Sequence, residues 1–158
     1  MLKVMTHLKK GTLNDCKEIS KIFQLYRNIF PHIRKDYLER NLAKDNVIFH
    51  DDVVIVYNQY KKKTRLGTIH ANAGDYILHQ IVTKFRDGRA TRVFKDFVNN
   101  LEERLFLSVR ADNKKAIDFY ERNGMIKVGD ISWKNNTLPG YVFLYTHSKN
   151  NHERFINL

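Results

Sequence analysis

The fold of this chain is decided by residues 105–125, which read LFLSVRADNKKAIDFYERNGM. Leu105–Val109 has little polarity, which is typical of a strand buried on both faces. Polar residues follow, and from Asn113 apolar side chains recur at spacings of three and four as far as Tyr120, which predicts a helix with one buried face. Gly124 is the expected C-terminal cap of that helix. Ligands of open α/β sheets bind at such carboxyl ends of strands, so this segment also predicts a site.

The same patterns extend in both directions and predict a mixed α/β sheet covered by helices. A capping box at 12–15 opens a long helix that we expect to end near Pro31. The expected element order is β-α-α-β-β-β-α-β-α-β-β. The segments are strand 2–5, helices 12–30 and 33–42, strands 47–49 and 53–57, a returning strand 66–71, strand 76–83, helix 89–101, strand 105–109, helix 113–123, and strands 126–133 and 141–145.

Length and charge limit the class of protein. The chain has 158 residues, which predicts a single domain over residues 1–158, and its hydrophobic fraction of 42% excludes wholesale disorder. The formal net charge of +11 predicts an anionic partner, for which nucleic acid, a nucleotide cofactor and a membrane surface are all candidates. Neither a signal peptide nor an apolar stretch of about 20 residues occurs, so we expect a soluble, intracellular (cytoplasmic) protein without a membrane partner.

The single cysteine, Cys16, excludes an intramolecular disulfide framework and a zinc site built from several cysteines. Its position on the apolar face of the first predicted helix favours a core residue over a nucleophile. We also find no His and carboxylate cluster at metal-ligand spacing, so no metal site is predicted.

The pattern Asn113-x-x-Ala116-x-x-Phe119-Tyr120-x-x-x-Gly124 resembles the motif that follows the fifth strand in the GNAT superfamily of acyl-CoA-dependent N-acyltransferases. The element order is similar to that superfamily over nearly the whole chain. The resemblance implies a GNAT-like, mainly antiparallel mixed sheet, with acetyl-CoA or another acyl-CoA bound where the fourth and fifth strands splay apart. It implies direct transfer to an amine, with Tyr120 as general acid and Asn113 contacting the pantetheine arm. A small or macromolecular amine would be the acceptor, and the chain would be a monomer or homodimer.

The resemblance also implies a pyrophosphate loop of the form Arg/Gln-x-x-Gly-x-Gly/Ala before the third helix, where backbone N–H groups hold the phosphates. Residues 82–92 occupy that place and read VTKFRDGRATR, which departs from the pattern. Depending on the alignment, Arg89 and Thr91 replace the glycines, or Phe85 takes the first position. The residues expected near the phosphates are Arg86, Gly88, Arg89 and Ala90.

The general base has several candidates. His79 falls near the place of the acid that GNAT enzymes often carry on the fourth strand, and imidazole has a suitable pKa for this role. A lone His in a strand is also a common structural residue, and Asp75 and a bound water are alternatives. Backbone groups of the same strand are expected to pair with pantetheine; these belong to Gln80, Ile81 and Val82.

The connection between the first two helices borders the acceptor pocket in GNAT folds. There His32 is a second candidate base, and Arg34 or Lys35 could bind a phosphate of the substrate. The alternative is an ordinary helix–helix corner with solvated charges.

A narrower similarity is to the Mom-type phage proteins, GNAT relatives that modify adenine in DNA. The matching positions are His32, Arg86 and Ser108, and Ser108 would then contact the substrate. This similarity implies a DNA base as acceptor, acetyl-CoA as donor and an iron centre. A third hypothesis, supported by the glycine-poor loop, is a non-catalytic GNAT module that binds nucleic acid or a partner protein.

Overall fold

The structure is a computed structural model that describes residues 7–147. In this range the chain forms a 3-10 turn at Leu13–Asp15 and the helices α1 (Cys16–Gln24), α2 (Lys35–Ala43), α3 (Arg89–Asn99) and α4 (Lys114–Arg122). The strands are β1 (Val47–His50), β2 (Val53–Gln59), β3 (Thr64–Leu66), β4 (Ile69–Ala71), β5 (Tyr76–Thr83), β6 (Leu105–Arg110), β7 (Ile126–Trp133) and β8 (Leu138–Tyr145). The strand predicted at 2–5 lies outside the described residues.

The six-stranded sheet has the order β1-β2-β5-β6-β8-β7, and β3 and β4 form a separate two-stranded sheet. β5 and β6 run parallel, whereas β1–β2, β6–β8 and β7–β8 are antiparallel pairs. The parallel pair follows from the α3 crossover, since parallel strands need a long connection. The prediction of a mixed, mainly antiparallel sheet with flanking helices is thus confirmed.

The chain divides into two compact units, one with residues up to Tyr57 and His79–Asn100, the other with Asn58–Leu78 and the residues from Leu101 onward. The single domain over residues 1–158 stays a prediction.

The first unit buries α1 and α2 against β1, β2 and the end of β5. The predicted capping box is present: the Thr12 N–H donates to the Asp15 carboxylate at 2.9 Å. Behind it α1 presents one apolar face to a core that also contains Leu38, Val54 and Val82. Cys16 is 5% exposed in this core, as predicted from its position on the apolar face.

The second unit carries β6 and α4, the segment from which the fold was predicted. Leu105, Phe106 and Leu107 are almost completely buried in β6. α4 begins after Asn113, whose side-chain oxygen accepts the Ala116 N–H at 3.3 Å. Gly124 follows α4 with a φ of 88°, the left-handed conformation expected of a C-terminal cap.

Several predicted boundaries are wrong. The last strand begins at Leu138 instead of Tyr141. The first helix ends at Gln24 instead of near Pro31: beyond it Tyr26 and Phe30 still pack against the core, but Ile29 is 43% exposed and the segment forms turns. The segment 66–71 is two short strands, since the chain reverses at Gly67, where φ is 62°. Five strands therefore lie between α2 and α3, where the predicted segments number four and the predicted order has three.

Candidate functional site

β5 is a central strand with an open face. His79 is its one exposed residue, and Ile81, two positions on and therefore on the same face, is half-buried. The neighbouring protein still desolvates the imidazole, and this lowers the pKa of His79 below its ordinary value of 6.5. His79 is therefore neutral at pH 7, the state in which an imidazole accepts a proton.

The opposite face of β5 is closed by the helical layer of the same unit. Gln80 and Val82 are buried there. The Tyr37 hydroxyl of α2 donates to Gln80 Oε1 at 3.2 Å, and the Tyr26 hydroxyl donates to the carbonyl of Thr83. These two tyrosines fix the strand that carries His79. Sequence reasoning missed their role, because it treated both as members of an apolar stripe.

The loop from β5 into α3 turns at Gly88, which is the N-cap of α3 with a φ of 87°. Immediately before it, the Asp87 carboxylate accepts from the Arg89 backbone N–H at 3.2 Å and from the Arg89 guanidinium at 2.9 Å. These hydrogen bonds lower the pKa of Asp87 to about 2. One amide at the helix N-terminus is thereby occupied by the protein's own carboxylate.

Arg89 also binds the turn between β1 and β2. Asp51 and Asp52 form this two-residue turn with φ values of 52° and 59°, as a type I′ hairpin requires. Their carboxylates lie 3.5 and 3.3 Å from the Arg89 guanidinium, which also stacks on the Phe85 ring with its carbon 3.9 Å from the ring centroid. Three carboxylates therefore surround the Arg89 guanidinium, which holds the loop, and a contact of Arg89 with phosphates stays a prediction.

The remaining loop residues differ from Arg89. Arg86 and Gly88 are exposed and Ala90 is half-buried. Arg86 makes no ion pair within residues 7–147, so its charge is available to an anion. The signal that could have separated the two arginines is the Asp51-Asp52 turn, but only the fold brings that turn to Arg89.

The helix–helix corner presents His32 and Arg34 at the surface. His32 is exposed, with its ring edge-on to Phe30 at a centroid distance of 6.5 Å. Arg34 is the N-cap of α2, and its exposed side chain lines a cavity of about 780 Å³ between α1 and α2. His32, Arg34, His79 and the loop all belong to the first unit.

The second unit holds Tyr120, Asn113 and Ser108. Tyr120 is 8% exposed, and burial raises the pKa of its hydroxyl, so the side chain stays protonated at neutral pH. Asn113 is half-buried and uses its side-chain oxygen to cap α4, as described above. Ser108 is half-buried in β6, paired in register with Val142 of β8.

Asp75, the weaker candidate base, is not free to accept a proton from a substrate. It is 2% exposed, and its carboxylate binds the Arg104 guanidinium at 2.7 Å and accepts the Asn72 N–H at 2.6 Å. Asp75 therefore joins the loop before β5 to the loop before β6, which is a structural role.

Residues 7–147 contain neither a metal-binding cluster nor a membrane-spanning helix. No group of three or more His, Cys, Asp or Glu side chains in that range is arranged to hold a metal ion. No helix in the same range is long and apolar enough to cross a membrane.

Comparison of the whole fold defines its class. No protein-family model matches the sequence, and no curated protein is significantly similar to it. Solved structures do match, and the chain has the fold of the GNAT-family N-acetyltransferases. Because every identity below is under 16%, the likeness concerns the fold.

Three of these structures show how completely the folds correspond. A GNAT-family acetyltransferase from Bacillus cereus matches with a TM-score of 0.67 and 15% identity, over 90% of this chain and 97% of that chain. Chaetomium thermophilum Naa20, in complex with a bisubstrate analogue, matches with a TM-score of 0.69 and 12% identity, over 94% and 90%. Arabidopsis thaliana NAA60, in complex with acetyl-CoA, matches with a TM-score of 0.61 and 14% identity, over 87% and 96%.

Proposed function

We propose that this chain is an acyl-CoA-dependent N-acyltransferase that transfers an acetyl group from acetyl-CoA to an amine. The observation that carries the proposal is the open face of β5, where a neutral imidazole is the exposed side chain of an otherwise buried central strand. The fold supports the same activity, since neighbours with this fold bind acetyl-CoA or a bisubstrate analogue.

The β5–α3 loop fits the diphosphate of CoA through its backbone. Amides in the first turn of a helix have no acceptor within it, and those of Ala90 and Thr91 belong to this class in α3. A Cβ built on Gly88 would meet no atom closer than the Arg92 guanidinium at 3.8 Å, so the approach to this end of the helix is open. Arg86 supplies the cationic side chain, and Arg89 keeps the loop in place through Asp87.

When bound, acetyl-CoA supplies an acetyl group activated as a thioester. His79 takes the proton from the acceptor nitrogen, and the nitrogen then attacks the thioester carbonyl; His32 or a bound water is the alternative base. A backbone N–H of β5 donates to the carbonyl oxygen as negative charge develops there. Tyr120, which burial keeps protonated, would be the general acid that supplies a proton to the leaving thiolate. Backbone groups of Gln80–Val82 would align the pantetheine arm.

The first experiment tests cofactor binding and the general acid together. Calorimetry with acetyl-CoA should detect binding, and no heat at millimolar ligand would refute the proposal. Tyr120→Phe should lower kcat about 10²–10⁴-fold while CoA affinity stays nearly constant. Tyr60→Phe is the matched control, because burial also raises the pKa of Tyr60, yet no step uses this residue. Unchanged turnover of Tyr120→Phe would remove Tyr120 from the mechanism.

The second experiment separates the two candidate bases by pH. If His79 is the base, kcat/KM should rise with pH along a limb centred below 6.5 and be level at pH 7, because desolvation lowers the pKa of this imidazole. His79→Gln should abolish that limb and His32→Gln should leave it in place. The reverse result would assign the base to His32.

The acceptor is tested by the fate of labelled acetyl groups. Amines, peptides and duplex DNA are offered in parallel with labelled acetyl-CoA. Label in a primary amine supports the proposal as stated, whereas label in a DNA base supports the Mom-like alternative. Binding of acetyl-CoA without transfer to any of them would favour the non-catalytic module.

A further inference from the structure

A cavity of about 780 Å³ opens between α1, α2 and the connection that joins them. Its volume lies in the range of small-molecule sites, roughly 300–1,000 Å³. Every lining residue belongs to the first unit, so the cavity is complete within that unit. The lining residues are Lys17, Ser20, Lys21, Phe23, Gln24, Arg27, Phe30, Pro31, Ile33, Arg34, Lys35 and Leu38.

The rim of this cavity is strongly cationic and carries no compensating acid. Five lining residues are Lys or Arg and none is Asp or Glu. Within the described part of the chain, Lys17, Lys21, Arg27 and Arg34 make no ion pair, and Lys35 has one long contact, to Glu39 at 3.9 Å. Lys17 and Lys21 are also four residues apart on α1, a spacing at which like charges repel. Such an arrangement weakens the helix unless an anion binds across it.

The floor is apolar and partly aromatic. Phe23 and Phe30 meet edge to face with their ring centroids 6.1 Å apart, and Ile33 and Leu38 complete the surface. Phe30 is half-buried, so part of its ring faces the cavity. A flat, apolar group can pack against this floor while an attached anion reaches the rim.

One polar atom in the wall has no partner. The Ser20 hydroxyl oxygen is buried, and it makes no hydrogen bond within residues 7–147. An unsatisfied buried hydroxyl is costly, and its position in the cavity wall lets a ligand with a polar edge satisfy it.

We infer that this cavity binds a nucleoside phosphate, with the base against the Phe23–Phe30 floor, a polar edge of the base at Ser20 and the phosphate between Arg27 and Arg34. A fatty acid would leave most of the rim cations unpaired and would not give the Ser20 hydroxyl a hydrogen-bond partner. Arginine suits phosphate because its planar guanidinium forms paired hydrogen bonds with two oxygens. The inference uses neither the proposed acid and bases nor the β5–α3 loop, and the one candidate site residue that it shares is Arg34, which the sequence predicts to bind a phosphate of the substrate.

Titration of the whole chain with AMP, ATP, adenosine and inorganic phosphate tests this site. We expect AMP and ATP to bind at least tenfold more tightly than either adenosine or inorganic phosphate. Arg27→Gln combined with Lys21→Gln should weaken AMP binding at least tenfold, and Ser20→Ala should weaken it about threefold or more. Lys44→Gln combined with Lys62→Gln is the matched control, since both lysines are exposed and lie outside the cavity. Equal affinity in the rim variant and the control would overturn the inference.

Two further experiments test whether AMP binds at the β5–α3 loop instead of the cavity and whether the ligand is a free nucleotide or a nucleic acid. AMP binding should persist in Arg86→Gln and at saturating acetyl-CoA; loss in both would locate the nucleotide at that loop and refute the cavity site.

A single-stranded oligonucleotide is titrated at several salt concentrations. If it binds through the rim, the salt slope should fall by about 0.7 for each cation removed. Tight AMP binding without oligonucleotide binding identifies a free nucleotide as the ligand.

Discussion

The Arg104–Asp75 ion pair offers a sharp test of how the second unit is held together. The Asp75 side chain is 3% exposed and that of Arg104 is 21% exposed, so the carboxylate is the more deeply buried partner. The Arg104 guanidinium carbon also lies 5.1 Å from the centroid of the Phe106 ring. The Tyr76 N–H donates to the Arg104 carbonyl at 2.8 Å, so the pair lies where the parallel strands β5 and β6 begin.

The asymmetry in burial predicts unequal effects of the two single substitutions. Arg104→Met leaves a buried carboxylate with only the Asn72 N–H, and breaking a buried pair in this way costs about 3–5 kcal/mol. Because Arg104 is partly exposed, we expect the lower end, about 3 kcal/mol, or a fall in Tm of about 6–12 °C for a domain of this size. Asp75→Asn leaves a guanidinium that can turn to water, and should cost about 1–2 kcal/mol.

Urea denaturation of the two single variants and the double variant measures these terms. The double variant Asp75→Asn/Arg104→Met should lose at least 1 kcal/mol less unfolding free energy than the two single variants lose together, because it contains no unpaired charge. An Arg104→Met effect within about 0.5 kcal/mol of zero would refute the burial argument, since that is the size of an ordinary surface substitution. Asp75→Asn should also keep the low-pH limb of the rate, which would separate its structural role from that of a base.

Three further predictions concern the elements around the site. Gly67→Ala should destabilise the fold by about 2–5 kcal/mol in urea denaturation, because its Cβ would lie 2.0 Å from a backbone carbonyl oxygen of β7 and its φ is positive. Asn113→Ala should cost about 1 kcal/mol by loss of the α4 cap, and Asn113→Ser should recover most of it; equal losses would exclude capping as the cause. Asp87→Asn should remove acid sensitivity between about pH 4 and pH 2. The pKa of Asp87 is depressed, so the stability from its pair with Arg89 is present above the ordinary value of 3.8 and is lost as pH falls toward 2.

Much of the fold was predictable because its elements carry strong local signals. The strand predicted at 76–83 and the strand predicted at 126–133 have the bounds that the structure gives β5 and β7. Gly124 marks the end of α4 from sequence alone, since few residue types adopt the left-handed conformation of a C-terminal cap. The capping role of Asn113 is visible only in the structure. The end of α1 was not predictable, because the apolar spacing continues through Tyr26 and Phe30, which pack against the core although the helix has ended at Gln24.

The candidate site was less predictable, because its electrostatics depend on contacts between distant segments. The sequence places Arg86 and Arg89 in one loop and predicts a phosphate contact for both. Only the hairpin turn at Asp51 and Asp52, nearly forty residues earlier, distinguishes them, by binding Arg89 and leaving Arg86 without an acidic partner. The lowered pKa of His79 is likewise a property of its packed surroundings.

The ion pairs show which cations contribute to the unpaired positive charge behind the net charge of +11. At the β5–α3 loop much of the local basic charge is cancelled, since Asp51, Asp52 and Asp87 all bind Arg89. Among the described residues, four of the five cations around the cavity between α1 and α2 make no ion pair, and Lys35 has one long contact. The cavity therefore keeps more unpaired positive charge than the β5–α3 loop, where Arg86 is available to an anion and Arg89 binds three carboxylates. Binding measurements on Arg27 and Arg86 variants therefore address two separate anion sites. Arg27 lies at the cavity and Arg86 in the β5–α3 loop, and neither forms an ion pair within residues 7–147.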